Sequence, residues 1–487
     1  MPQLGLHFFT SLLARKRSGQ GHEVRSNERQ AMVSVTATEF VAVERRKTSK
    51  RRELTEAYAA LLLFMSVYWA RPTDWIPGLS TVPLAKIAAA LAFVALALSL
   101  SQIRHRLPPE VGYVFLLIAQ LVATAVMSPV WKGGALQTTL DFAKVGLIVF
   151  ALVMAVKTAK RLRQLFFIQA ASVAAISAVA VWKGRSLGNR LEGVLNGNYS
   201  NPNDLALAIV ISVPLCLALL LLSKRNLSKA AWAFAMVVMV YAVFLTGSRG
   251  GFLSLAIAAA VCLWGFGIRG RRPILLAVAV FMGVLLWVSS GTMLSERLKG
   301  TFDSTDDAAS AYGSAQQRQE LLWRSVEITI AHPLFGVGPG NFQVLSGSWH
   351  GTHNSYTQMS SEGGVPALIL YVLILWCGFK NVSEIKRLVR KKKELGLLVQ
   401  ALQASLSGFV VGSLFASDAF QFFPYFLVAY TRAFLWIARE AASPPAEGKS
   451  ALAGVNPQGI YGETNRSVEQ VVPLQLCEIP KYWNFDP

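Results

Sequence analysis

The sequence predicts an all-α polytopic membrane protein with about 12 transmembrane helices. Three observations predict it. The chain has 487 residues, of which 53% are hydrophobic and 15% charged, with a mean hydropathy of +0.43. That is too apolar for a soluble protein folded around one core. Its apolar runs approach the roughly 20 residues that a spanning helix needs. The basic clusters fall in short loops between alternate runs, which is the positive-inside pattern. A β-barrel would alternate every second residue, and these runs do not.

Residues 1–53 are polar and basic, as in "RRKTSKRREL", without the apolar core and cleavage site of a signal peptide. They are expected to form a disordered cytoplasmic arm against anionic lipid. Met32 is a second candidate start. Spans are expected near 54–70, 84–101, 111–127, 140–156, 165–181, 204–222, 230–246, 252–267, 273–290, 364–379, 397–415 and 420–437. The break at 246–252 is the shortest, two spans joined by a tight turn. "RHR" at 104–106, "KTAKRLR" at 157–163, "SKRNLSK" at 223–229, "RGRR" at 269–272 and "KRLVRKKK" at 386–393 alternate with loops poorer in Lys and Arg. With both termini cytoplasmic, every one of these clusters is cytoplasmic. Residues 54–437 then form the membrane domain and 438–487 a cytoplasmic tail. The same loops account for the net charge of +20, so no nucleic-acid partner is expected. Cys216, Cys262 and Cys377 lie in apolar runs and Cys477 in the tail, with neither metal nor disulfide spacing.

The outward segments are then 71–83, 128–139, 182–203, 247–251, 291–363 and 416–419. The longest, 291–363, contains "QQRQELLWRSVEITIAHPLFGVGPGNF". This reads as an amphipathic helix that ends before Pro333, followed by a Pro/Gly loop. Leu321, Leu322, Val326 and Ile330 would form one apolar stripe against the outer membrane surface.

Four stretches carry candidate chemistry. In "TGSRGG" (246–251), Arg249 stands among small residues where a guanidinium can bind a phosphate with two parallel hydrogen bonds. A snorkelling arginine in a turn is the plainer reading. Arg318 and Arg324 lie on the amphipathic helix, where a solvated face is the plainer reading. Gly336, Gly338 and Gly340 could expose N–H groups to an anion, but the loop lacks the context of any nucleotide motif, and a structural turn is the expected role. In "HNSYTQMSSEGGVP" (353–366), Asn354 or Ser355 can cap a helix. Asn354, Gln358 and Glu362 then form a polar stripe. Gly363-Gly364 ends that helix and Pro366 starts the next. The His353 imidazole can take a proton near neutral pH, or simply anchor the loop. A fifth stretch, "GNRLEGVLNGNYSNPNDLA" (188–206), contains Arg190 and Asn203 and could line a sugar groove, with Asp204 or Asn203 capping the next span. No metal motif is present.

Taken together, "GVLNGNYSNPNDLA", "TGSRGGFLSLAIA", "RQELLWRSVEITIAHPLFGVGPGNF" and "HNSYTQMSSEGGVPALILY", in that order, resemble the O-antigen ligase and O-antigen polymerase family of bacterial membrane glycosyltransferases. The resemblance covers roughly residues 55–437. It implies a GT-C-like helical fold with a long periplasmic loop, in the bacterial inner membrane. It implies a donor glycan on undecaprenyl diphosphate, and an acceptor that is a glycan, the lipid A core or a protein. By motif, the family's functional positions fall on Arg249, Arg318 and His353. Arg190, Asn203, Arg324, Asn354, Gln358 and Glu362 are then expected to bind substrate. The reading is a ligase-like, inverting transfer with no metal or cofactor. "GGVPAL" replaces the family's glycine-rich stretch after the histidine, so a polymerase stays open. A secondary transporter is the alternative from another class, although its key residues would gather at the midplane rather than at one face.

Overall fold

The computed structural model describes residues 55–442 except 77, 100–106, 185, 188–189, 192–198, 200, 271, 274–305 and 348–349. The expected N-terminal arm, the expected span at 273–290 and the tail from 443 onward lie outside the described residues. The described chain is helical, apart from a small pair of strands. The helices are α1 (Thr55–Ala70), α2 (Pro72–Trp75), α3 (Leu84–Leu98), α4 (Pro109–Met127), α5 (Lys132–Ala155) and α6 (Ala159–Lys183). Strands β1 (Ser186–Leu187) and β2 (Arg190–Leu191) then pair antiparallel. There follow α7 (Pro202–Leu222), α8 (Asn226–Thr246), α9 (Arg249–Cys262), α10 (Asp306–Ala331), α11 (Phe342–Leu345), α12 (Ser355–Leu388), α13 (Lys393–Gly412) and α14 (Phe422–Ala442). Eleven of the expected spans coincide with helices, and among the described residues eight helices are long and apolar enough to cross a membrane. The protein is a multi-pass membrane protein.

Local chemistry sets the helix ends. Thr158, Asn201, Ser248 and Asn354 cap α6, α7, α9 and α12 through their side-chain oxygens. The cap of α7 is thus Asn201, which accepts from the Asn203 N–H at 3.0 Å, and not Asn203 or Asp204. An Asx oxygen two residues back reaches the first free N–H before either later side chain can. Gly247, at φ 56°, ends α8 in the left-handed region that favours glycine. Past Cys262, α9 continues as a π-turn over Leu263–Ile268. There Gln400 donates to the Val261 carbonyl at 3.1 Å, a partner of the kind that lets a helix loosen.

The core centres on α7, which is apolar all round and buried on most of its surface against α6, α8, α9 and α13. Gly408 and Gly412, four residues apart on α13, let that helix close on α7 and α9. A Cβ at Gly408 would stand 3.1 Å from the Ala258 Cβ, and one at Gly412 2.9 Å from the Ser254 Oγ. At the end of the bundle away from residues 247–251, buried Asn381 donates to Glu110 at 2.8 Å and to Thr431 at 3.2 Å, tying α4, α12 and α14 together.

Helix α10 ends before Pro333, as expected, but its apolar stripe divides. Leu321 and Ile328, with Ser325 between them, are buried, and the two apolar side chains cluster with Val337 and Phe342. Leu322 and Ile330 are exposed on another face, beside Trp323. Thr329 shares a 2.9 Å hydrogen bond with Ser360 of α12. The helix packs on a protein neighbour through positions spaced by four and three. Only the remaining apolar positions are left for lipid.

Candidate active site

The nine residues between α13 and α14, 413–421, are the frame of the site. Close packing at Gly408 and Gly412 delivers this loop beside the α8–α9 turn. A Cβ at Gly250 would lie 2.4 Å from the Phe415 Cβ, and one at Gly251 2.7 Å from the Ala206 Cβ. The small residues of "TGSRGG" are therefore required by contact with both the loop and α7. Ser248 accepts from the Gly251 N–H at 3.1 Å and donates to the Asn203 Oδ1 at 2.8 Å. Arg249, the first residue of α9, is fixed between these two attachments and is half-buried.

The same loop holds the start of α12. The Ser413 and Ala416 carbonyls accept from the Ser355 N–H and Oγ, each at 2.7 Å. The Ser355 Oγ accepts from the Asp418 N–H at 3.0 Å. The His353 N–H donates to the Ser417 Oγ at 2.8 Å. His353 itself sits at φ 50°, a left-handed conformation that costs a non-glycine residue on the order of 1–3 kcal/mol. These bonds hold it there. Asn354 follows as the cap, its Oδ1 accepting from the Tyr356 and Thr357 N–H groups at 2.9 and 3.1 Å.

Arg318, on α10, is half-buried near both Arg249 and His353. Burial, and then the charge of Arg249, lower its pKa. Burial, and then Arg318 and His350, push the His353 imidazole down to about 4. The shift favours the uncharged imidazole at neutral pH, near Arg318, which itself lies near Arg249. Asp418 is buried, and burial followed by nearby Asp204 raises its carboxyl well above the usual range. The arrangement can hold a dianion and take a proton close by.

Beneath the histidine, α12 is broken at Gly364 (φ 81°, ψ 170°), with Pro366 two residues on. The break leaves carbonyls without helical partners, and the Pro/Gly loop supplies them. Val337 and Gly338 donate to the Ser361 and Glu362 carbonyls at 2.9 and 3.0 Å, and Val365 donates to the Pro333 carbonyl at 2.7 Å. The N–H groups of Gly336, Val337 and Gly338 are thus engaged by backbone, so this stretch is a structural turn. Asn341 fastens it to the α4–α5 turn, donating to the Ser128 Oγ at 2.9 Å.

The structure brings Arg249, Arg318 and His353 together, with Asn203 beside the Arg249 turn. Gln358 accepts from the Ala419 N–H at 3.3 Å. Glu362, 2% exposed, accepts from the Phe342 N–H at 3.2 Å. The stripe of Asn354, Gln358 and Glu362 therefore engages neighbouring backbone. Arg324 lies apart: it is exposed, six residues from Arg318 on a different face of α10, and paired with Glu327 at 3.2 Å. Arg190 stands in β2, opposite Leu187. Sequence reasoning missed Ser413, Ser417 and Asp418. The only signal for Ser417 and Asp418 is a short polar break, "ASDAF", between two apolar runs, and serine there, as at Ser413, looks like any turn residue.

Residues 234–372 match the family model described as O-antigen ligase. No curated protein matches the chain. Among solved structures, the chain is similar to one from "Structural coordination of polymerization and crosslinking by a peptidoglycan synthase complex". The identity is 15%, over 69% of this chain and 98% of that one, with a TM-score of 0.39. Ser248, Arg249, Arg318, His353 and Glu362 fall inside the matched segment, whereas Asn203 and the 413–421 loop lie outside it. The resemblance drawn from the motifs holds for this segment: residues 234–372, with Arg249, Arg318 and His353 among them, match the O-antigen ligase family.

Proposed function

We propose that this protein is a ligase-like glycosyltransferase of the inner membrane. It transfers a glycan from an undecaprenyl-diphosphate carrier to an acceptor hydroxyl at the periplasmic face, with both termini cytoplasmic. The observation that supports the reading is that the 413–421 loop holds both the Arg249 turn and His353, with Arg318 near each of them.

The diphosphate is the leaving group, and it gains charge as the glycosidic C–O bond breaks. Arg249 and Arg318 neutralise that charge from fixed positions, where the loss of one such contact costs about 3 kcal/mol, or roughly a hundredfold in rate. Uncharged His353 takes the proton of the acceptor hydroxyl as its oxygen bonds to the anomeric carbon. The carrier departs as undecaprenyl diphosphate, the proton passes from the histidine to solvent, and the anomeric carbon is inverted. The arginines supply the positive charge that a metal would otherwise bring, so turnover is expected in EDTA.

The lipid-linked glycan profile tests this, comparing cells that lack the gene with cells complemented by wild type or by His353→Ala. Full-length chains stranded on the carrier in the mutant identify a ligase. Single repeat units identify a polymerase of the same family. An unchanged profile sinks both and favours a transporter.

A further inference from the structure

Helix α10 carries Arg318 at the site and ends just before Pro333. One row of side chains, spaced by four, joins these two places. It runs from Arg318 through Leu322, Val326 and Ile330 to Leu334, which stands just past the helix end. Leu322 is exposed, Val326 half-exposed, Ile330 74% exposed and Leu334 63% exposed. From Arg318 to Ile330 the row covers about 18 Å and winds about a third of the way round the helix. The α10 helix is not among those apolar enough to cross a membrane. Its protein contacts are made by Leu321 and Ile328, so packing does not account for the apolar row.

At Leu334 the row enters a groove of about 570 Å³, lined by Pro333, Leu334, Val365, Pro366, Ile369 and Leu370. The lining is apolar and its walls are fixed. The Val365 N–H donates to the Pro333 carbonyl at 2.7 Å, and the Gln120 Nε2 donates to the Leu334 and Gly363 carbonyls at 2.8 and 3.1 Å. On its open side the groove continues into the face that α12 turns outward. Val365 and Ile369 begin an exposed apolar row that runs on through Val372 and Trp376 of this spanning helix.

A cation at one end, a bare apolar row of about 18 Å and a preformed apolar groove at the other end suit one kind of molecule. It has an anionic head and a long hydrocarbon chain. Ordinary contact with lipid requires neither the groove nor the cation. We propose that the Leu322–Val326–Ile330 row and the groove at Leu334 seat the polyprenyl chain of the lipid-linked donor, with its diphosphate at Arg318. This deepens the glycosyltransferase reading above and rests on it. Lipid is as apolar as the groove, so the groove holds the chain in place rather than drawing it in. The row covers the first part of the chain where the head group reaches the site.

The test measures equilibrium binding to the full chain in lipid nanodiscs, with undecaprenyl diphosphate and geranyl diphosphate as probes. The second has the same head and a chain too short to reach from Arg318 to the groove. Ile330→Ser and Leu334→Ser change exposed side chains, so both variants should fold. Each should weaken undecaprenyl diphosphate about tenfold, the scale of one lost apolar contact, and leave geranyl diphosphate within about twofold. Arg318→Gln should weaken both probes. Unchanged binding of undecaprenyl diphosphate in both serine variants overturns the chain track alone, and so does equal weakening of the two probes. Displacement of undecaprenyl diphosphate by equimolar dioleoyl phosphatidic acid overturns it too, because the row would then serve any anionic lipid. Failure of the wild type to bind either diphosphate overturns the donor reading, and this proposal with it.

Discussion

The His353 N–H donates to the Ser417 Oγ at 2.8 Å, which ties the left-handed histidine of one segment to a loop 64 residues further on. The bond aligns the imidazole from behind and leaves the ring free. Ser417→Ala should let the backbone relax, costing about 1 kcal/mol of stability and roughly tenfold in turnover. Ser417→Thr, which keeps the hydroxyl, should recover turnover. Thermal unfolding and transfer rates, measured together on the purified variants, check both.

The protonation of His353 has a readout independent of turnover. Its pKa, at about 4, lies below the ordinary histidine value of 6.5, because of burial, then Arg318 and His350. The folded state therefore binds fewer protons than the unfolded chain between those values. This group's contribution to stability is full above pH 6.5 and is lost as pH falls toward 4. On the same argument, the acid limb of the rate profile should lie well below 6.5. NMR titration of labelled histidine should find the lowest midpoint at His353, and Arg318→Gln should move it upward. A midpoint near 6.5 in the wild type would contradict the burial seen here.

The two arginines of α10 separate cleanly. Arg318→Ala removes a cation near Arg249 and His353, and should cost roughly a hundredfold in turnover. Arg324→Ala breaks only an exposed pair with Glu327, a kind of contact worth about 0.2–1 kcal/mol, and should leave turnover within about twofold. Equal losses in both variants would mean that α10 binds substrate along more than one face.

Gly364 has φ 81°, and a Cβ there would stand 2.3 Å from the Leu334 carbonyl oxygen. Gly364→Ala should therefore strain both the break and the loop beneath it, costing about 2 kcal/mol or more. The loss should appear as a lower unfolding temperature and as reduced protection of 333–342 in hydrogen exchange. A variant as stable as wild type would show that the break does not depend on glycine.

That the chain is a multi-pass helical membrane protein was readable because an apolar run near 20 residues has one economical solution in lipid. The break at Gly363-Gly364-Pro366 was readable for a similar reason, since few residue types can make it. Arg249, Arg318 and His353 were singled out by motif resemblance, and the placing of Arg318 near the other two is a property of the fold. Ser417 and Asp418 were not legible, because a serine in a turn carries no mark of the backbone it will hold 64 residues away. The apolar stripe on α10 misled for a related reason. Leu321 and Leu322 are neighbours in sequence, yet only the first is buried, and a protein neighbour decided which.

The central claim is that two arginines and one uncharged histidine form a glycosyl-transfer site. The most direct measurement is transfer of lipid-linked glycan by the purified protein in EDTA, comparing wild type with Arg318→Ala and His353→Ala. The account predicts wild-type turnover, inverted product, and losses of roughly a hundredfold or more in each variant while the fold persists. Turnover that vanishes in EDTA and returns with magnesium, or folded variants that keep wild-type rates, would contradict it.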